Sequence, residues 1–179
     1  MEPQALIQDY IQSGWPLFYI QTEDEKTVIE ALDKISDTLT YTAKPGKWTI
    51  LIEGDPVAYI ENIRRQEPGF LYLMNFHFVL EQPGVIQALK DGVSKWKATG
   101  HKVFMICNNR KIPVELNQDL VFLEWLLPDK EVLIGRLDYI IESALESGLK
   151  LEPDITLRQK LIEAASGLSS SQAENAFSL

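Results

Sequence analysis

The sequence predicts an α/β fold: a five-stranded, mainly parallel, doubly wound sheet followed by a small all-helical part. Three observations carry this. Short apolar runs of strand length recur along residues 17–125. Amphipathic stretches with helical spacing separate them, joined by short links rich in Pro and Gly. After Leu127-Pro128-Asp129 the strand pattern stops and only helical spacing remains. The expected division is 1–127 for the α/β part and 128–179 for the helical part.

Leu17-Phe18-Tyr19-Ile20 reads as the first buried strand. Thr22 and Glu25 follow at capping-box spacing. Val28, Ile29, Leu32 and Ile35 then recur as one face of a helix. Pro45-Gly46 breaks the chain, and Trp48 to Ile52 has strand character. Asp55-Pro56 pairs an N-cap with a first-turn proline, opening a short helix over Val57, Ile60 and Ile63 that Pro68-Gly69 ends. Phe70 to Met74 is the third strand. Pro83-Gly84 opens a helix with Ile86, Leu89, Val93 and Trp96 on one face, and Gly100 sits at its C-cap. Val103 to Ile106 is the fourth strand, Ile112-Pro113 starts a turn of helix, and Val121 to Trp125 is the fifth strand. Beyond it, Val132, Leu133, Leu137, Ile140, Ile141 and Leu145 mark a helix. Thr156 and Gln159 are read as capping another, stopped by Gly167. Ser169 and Gln172 cap a last one.

Composition narrows the function. The chain has 179 residues, 45% hydrophobic and 24% charged, as in ordinary globular domains. Its formal net charge of −9 disfavours nucleic acid held through phosphates and an anionic membrane surface. Cys107 is the single cysteine, so neither an internal disulfide nor a cysteine zinc cluster can form. Residues 1–12 carry Glu2 and Asp9 and no basic residue, unlike a secretory signal. No apolar run reaches the roughly 20 residues a bilayer requires. The expected compartment is the cytoplasm or a plastid stroma.

In open parallel sheets, ligands sit beyond the C-terminal strand ends. The first such end, Thr22-Glu23-Asp24, is the most informative. A phosphate-binding loop needs Gly-x-x-x-x-Gly-Lys-Ser/Thr there, because glycines let backbone N–H groups close around phosphates. No glycine lies between Leu17 and Ala43. Glu23, Asp24 and Glu25 suit the helix dipole but repel a triphosphate. The only Gly-Lys pair, Gly46-Lys47, precedes a strand. The third end carries Asn75 where magnesium binding or phosphoacceptance would need an acid. His77, two residues on, is read as a hydrogen-bonded structural group and His101 as lying on a solvated turn. Asn108-Asn109-Arg110-Lys111 is a polar, partly basic loop. Cys107 reads as a small buried hydrophobe. Trp15, Trp48, Trp96 and Trp125 read as core or interface groups, and residues 63–66 as a solvated helix face.

The order of elements resembles an AAA+ ATPase module. Leu71 to Asn75 stand where that family has its Walker B strand, and Val103 to Asn108 where it has the sensor-one strand. Leu126-Leu127-Pro128-Asp129 looks like the junction to the lid. Residues 161–177 look like the lid itself. Trp15 to Ile20, Asn75 to Phe78, Ile112 to Leu116 and Ser171 to Phe177 are more narrowly similar to the N-terminal region of AAA ATPases of cyanobacterial and plastid genomes. There a degenerate module precedes a complete one.

The resemblance implies a degenerate, non-catalytic domain serving assembly, partner binding or regulation, next to an active ATPase module. Such a module would follow Leu179 if the chain is a fragment. Thr22, Glu23, Asp24, Asn75 and Asn108 are then degenerate nucleotide-pocket positions. Arg110 is a candidate for an interface or for acting in trans on a neighbour's site, as arginine fingers do. No catalytic residue and no metal site is assigned, and ATP and Mg belong only to an accompanying catalytic module. The expected partners are proteins, in an oligomer of AAA+ subunits, without nucleic acid or membrane. The alternative is a small hydrolase using Glu23, Asp24 and His77, or an unorthodox nucleotide-binding protein, on the same kind of sheet.

Overall fold

The structure, a computed structural model, describes residues 3–39, 46–49, 54–63, 65, 67–148 and 153–178. The chain divides into two compact units, residues 1–125 and 126–179.

In the first unit α1 (Pro3–Gln12) leads into β1 (Leu17–Thr22) and α2 (Glu25–Thr38). Then come β2 (Gly46–Thr49), α3 (Pro56–Ile63), β3 (Phe70–Met74), α4 (Pro83–Thr99), β4 (Lys102–Cys107) and β5 (Val121–Trp125). Short 3-10 turns at Phe76–Phe78 and Val114–Leu116 follow β3 and β4. The strands form one sheet in the order β2-β3-β4-β1-β5, every pairing parallel.

Strand side chains alternate between the two faces, so each strand feeds two cores. Leu17, Tyr19, Leu71, Leu73, Val103, Met105 and Cys107 meet α3 and α4 through Ile60, Leu89 and Trp96. Phe18, Ile20, Phe70, Tyr72, Phe104 and Ile106 meet α1 and α2 on the other face through Ile7, Val28 and Leu32. Burial on both faces is why these strands read as continuous apolar runs. On the second face Phe104 is the hub: its ring centroid lies 4.8 Å from Phe18, stacked, and 4.9 Å from Phe70. The Tyr72 hydroxyl donates to Asp33 Oδ1 at 2.7 Å, tying α2 to the sheet.

Several expectations are corrected. α1 forms where the sequence reading places no element. Asp24, not Thr22, is the N-cap of α2: its carboxylate accepts from the Thr27 N–H, while Thr22 Oγ1 accepts from the Asp24 N–H. Asp154, not Thr156, caps the helix at Ile155–Ala165. In both places an aspartate was available, and its short carboxylate reaches the N3 amide without the rotamer restriction of a β-branched threonine. α3 ends at Ile63, before Pro68-Gly69, and Ile63 is fully buried rather than part of a solvated face. His101 is buried, its Nδ1 2.6 Å from Thr99 Oγ1, and not on a solvated turn. Ile50 to Ile52, Pro45 and the side chain of Trp48 lie outside the described residues. Gly100 does end α4, at φ 85°, with its N–H on the Trp96 carbonyl.

The second unit holds α5 (Lys130–Glu146), α6 (Ile155–Ala165) and α7 (Ser170–Phe177) around Leu133, Leu137, Ile141, Ile162 and Ala173. Ser169 and Gln172 form the reciprocal capping box expected from their spacing. Arg136 pairs with Glu174, and Arg158 with Asp138.

Candidate functional site

The sheet order sets where a site can form. After β1 the chain leaves over one face, in α2, to reach β2 at the far edge. After β4 it crosses the other face, where Ile112 and Leu116 pack, to reach β5. β1 and β4 are neighbours, so their C-terminal ends flank the crevice created where connections diverge. The segments at its mouth are Thr22-Glu23-Asp24, Asn75-Phe76-His77 and Cys107-Asn108-Asn109-Arg110.

At the β1 end, Thr22 and Asp24 are buried and Glu23 is exposed. The Asp24 carboxylate accepts from the Thr27 N–H at 3.4 Å and from Thr27 Oγ1 at 2.9 Å. A helix N-terminus attracts anions through such free amides. Here the protein's own carboxylate takes that place. No glycine lies in this turn, and a side-chain carboxylate binds a free amide of the helix end. Among the described residues no cluster of three or more His, Cys, Asp or Glu could hold a metal ion.

At the β3 end, Asn75 adopts a left-handed conformation, φ 54° and ψ 30°, and its N–H donates to the Ile106 carbonyl at 2.9 Å. Asparagine tolerates this region better than most residues. The bend brings the 76–78 turn over the end of β4, where the amides of His77 and Phe76 reach the Cys107 sulfur. Burial pushes the Cys107 thiol up, against the effect of those amides and of the nearby Tyr19 hydroxyl. The thiol is thus an inert packed group and no nucleophile. His77 is 4% exposed, and its Nδ1 has no hydrogen-bond partner. Burial, and then the charge of Lys111, hold its pKa below the ordinary 6.5. The Asp24 carboxylate binds Thr27 at the start of α2, and His77 sits on the turn after β3.

At the β4 end, Asn108, Asn109 and Arg110 are exposed. The Arg110 guanidinium carbon lies 4.2 Å from the centroid of the Phe122 ring. Tyr19, which the sequence reading treats only as part of a strand, is the residue that organises this loop. Its hydroxyl donates to the Asn109 carbonyl and accepts from the Lys111 N–H at 3.2 Å. Burial raises its pKa well above the ordinary tyrosine value. The available signal was a hydroxyl in a run otherwise apolar: a buried Tyr needs a partner, and a strand end supplies one. Two cavities, of about 140 and 200 Å³, lie elsewhere, one between α3 and α4 and one where the α1–β1 link meets Lys97 and Asp119.

Comparison with solved structures gives the same architecture. The AAA domain of FIGL-1 in complex with ADP matches with a TM-score of 0.62 at 11% identity, over 90% of this chain and 58% of that one. Domain III of the replication initiation protein DnaA from Thermotoga maritima matches with a TM-score of 0.60 at 13% identity, over 98% of this chain and 82% of that one. A DNA replication initiation factor matches with a TM-score of 0.56 at 12% identity, over 96% of this chain and 57% of that one. This chain thus spans less than two thirds of the first and third of these. At such identities the likeness is one of fold alone. No curated protein matches the sequence. The model of the SpoVK-like AAA ATPase N-terminal domain matches residues 3–125, which lie within the sheet-bearing unit. That match covers more than half of the chain, and the chain belongs to the family of SpoVK-like AAA ATPase N-terminal domains.

Proposed function

We propose that this chain is a non-catalytic, degenerate AAA+-like domain that serves assembly, partner binding or regulation beside an active AAA ATPase module. That module lies in the same polypeptide or in a partner, and ATP and Mg act there. One observation carries the reading. The buried Asp24 carboxylate occupies the N-terminus of α2, where a nucleotide phosphate would have to bind. Asn75 in place of an acid supports it, since its amide adds no charge for a magnesium ion. The helices α5 to α7 then correspond to a lid. The partners are proteins, other AAA+ subunits among them, in the cytoplasm or a plastid stroma. One relative of similar fold is a DnaA bound to AMPPCP and single-stranded DNA, but a net charge of −9 disfavours a polyanion here. The four segments similar to cyanobacterial and plastid AAA ATPases support the narrower placement.

The test is the melting temperature of the purified chain with Mg-ATP, with Mg-ADP and without nucleotide. A ligand at roughly a hundredfold excess over its Kd stabilises the native state by about 2.7 kcal/mol. No shift is expected at millimolar nucleotide. A reproducible rise with either nucleotide sinks the reading.

A further inference from the structure

The loop after β4 is held more firmly than a solvated turn requires. Tyr19 is fully buried, and its hydroxyl binds the backbone at Asn109 and Lys111, while the side chains of residues 108–111 stay exposed. On one side of the loop the Arg110 cation rests on Phe122. On the other, the 76–78 turn packs against the end of β4, with the Asn75 N–H on the Ile106 carbonyl. The His77 ring packs 4.1 Å from the ring of Phe78, which is 67% exposed. Phe78 thus lies on the turn after β3 and Arg110 and Lys111 on the loop after the neighbouring β4, with Arg110 reaching Phe122 of β5.

Among the described residues, neither Arg110 nor Lys111 has an acidic partner in an ion pair. The chain has 26 acidic and 17 basic residues, so two adjacent cations without an ion-pair partner stand out on it. Of the acids at the same sheet edge, Glu23 is exposed on the turn entering α2, and the charge of Glu25 in the first turn of that helix reaches Cys107.

We propose that Phe78, Arg110 and Lys111 form a docking surface for an acidic segment of a partner protein, one that sets an apolar side chain beside its carboxylates. Charge complementarity selects the anionic partner, and Phe78 supplies the apolar anchor. Stacking of Arg110 and pinning by Tyr19 remove most of the ordering cost before the partner arrives. A single nucleic-acid strand also offers charge and stacking, but the rest of this acidic chain repels it. The proposal rests on the partner-binding reading above and gives it a place and a partner chemistry.

The test is fluorescence anisotropy of the chain with labelled synthetic peptides. One repeats Glu-Glu-Leu-Phe, a second carries Lys for Glu, a third carries Ser for the apolar residues. A single-stranded oligonucleotide is the fourth probe. The first peptide binds. Arg110→Glu with Lys111→Glu, and separately Phe78→Ser, weaken it by about tenfold or more, while Lys160→Glu on α6 leaves it unchanged. All these side chains are exposed, so melting temperatures stay close to that of the parent chain. Tyr19→Phe acts as a positioning change: the Lys111 amide exchanges its hydrogen faster and affinity falls by about threefold. The proposal is overturned if the acidic apolar peptide does not bind, or if the basic or polar peptide binds as well. It is overturned too if the oligonucleotide binds and the same substitutions abolish that binding. Self-association of the chain, lost in the same variants, makes the occupant a second copy and overturns it also. A Mg-ATP shift with peptide binding intact removes the degenerate reading and leaves this surface standing; no shift and no peptide binding does the reverse.

Discussion

Asp24 caps the first turn of α2. Its carboxylate binds both the amide and the hydroxyl of Thr27, so Asp24→Ala leaves the first turn of α2 without its cap. The expected loss is about 1 kcal/mol of unfolding free energy, read as a lower urea midpoint with an unchanged slope. An unchanged midpoint would mean that water replaces the cap at no cost. The sequence reading names Asp24 as a site position but assigns the cap to Thr22, because spacing alone ranks Thr-x-x-Glu above a nearer Asp. His77 carries a second prediction. Its pKa is lowered in the folded state, so below the ordinary 6.5 the unfolded chain binds the proton more readily. Stability from this group is complete above that pH and is lost as pH falls through it toward the folded value. His77→Phe should flatten that part of the stability profile relative to the parent chain, measured by urea unfolding at a series of pH values. Equal slopes in the two proteins would refute the assignment. The sequence reading takes His77 as a hydrogen-bonded group, whereas its buried Nδ1 has no hydrogen-bond partner.

At the scale of elements, α4 gives the sharpest case. A Cβ built on Gly92 would lie 2.5 Å from Trp96 Cζ2, and Trp96 is 1% exposed in the core beneath. Gly92→Ala should therefore cost about 1–3 kcal/mol through overpacking, although alanine is the better helix former. Denaturant unfolding followed by tryptophan fluorescence checks it, and stabilisation would show that the indole can move. The apolar spacing of α4 and its Pro and Gly boundaries were readable because each obeys a local rule. α1 was not, since only Ile7 and Ile11 are buried along it. Two such residues give a weak periodic signal, and the helix exists because the sheet face beside Phe18 has to be covered. Ile63 follows the same logic: it ends α3 in the core, where nothing in Ile63-Arg64-Arg65-Gln66 announces which residue turns inward.

For the molecule as a whole, the sequence by itself determined the alternation of strands and helices, most strand limits, and the absence of a glycine-rich turn after the first strand. Those properties are local. Strand hydrophobicity, capping residues and the backbone freedom of glycine act within a few neighbours, so one chain read in order is enough. The tertiary structure decided the order β2-β3-β4-β1-β5, and with it which strand ends share a crevice. It also placed Tyr19 under a loop 90 residues further along the chain. It set the turn after β3 against the end of β4 and left Phe78 exposed on that turn. Such meetings depend on which strands pair and on which face each crossover leaves. Burial on both sides of the sheet makes many pairings equally apolar, so no local pattern distinguishes them, and only packing of the complete sheet against its helices selects one.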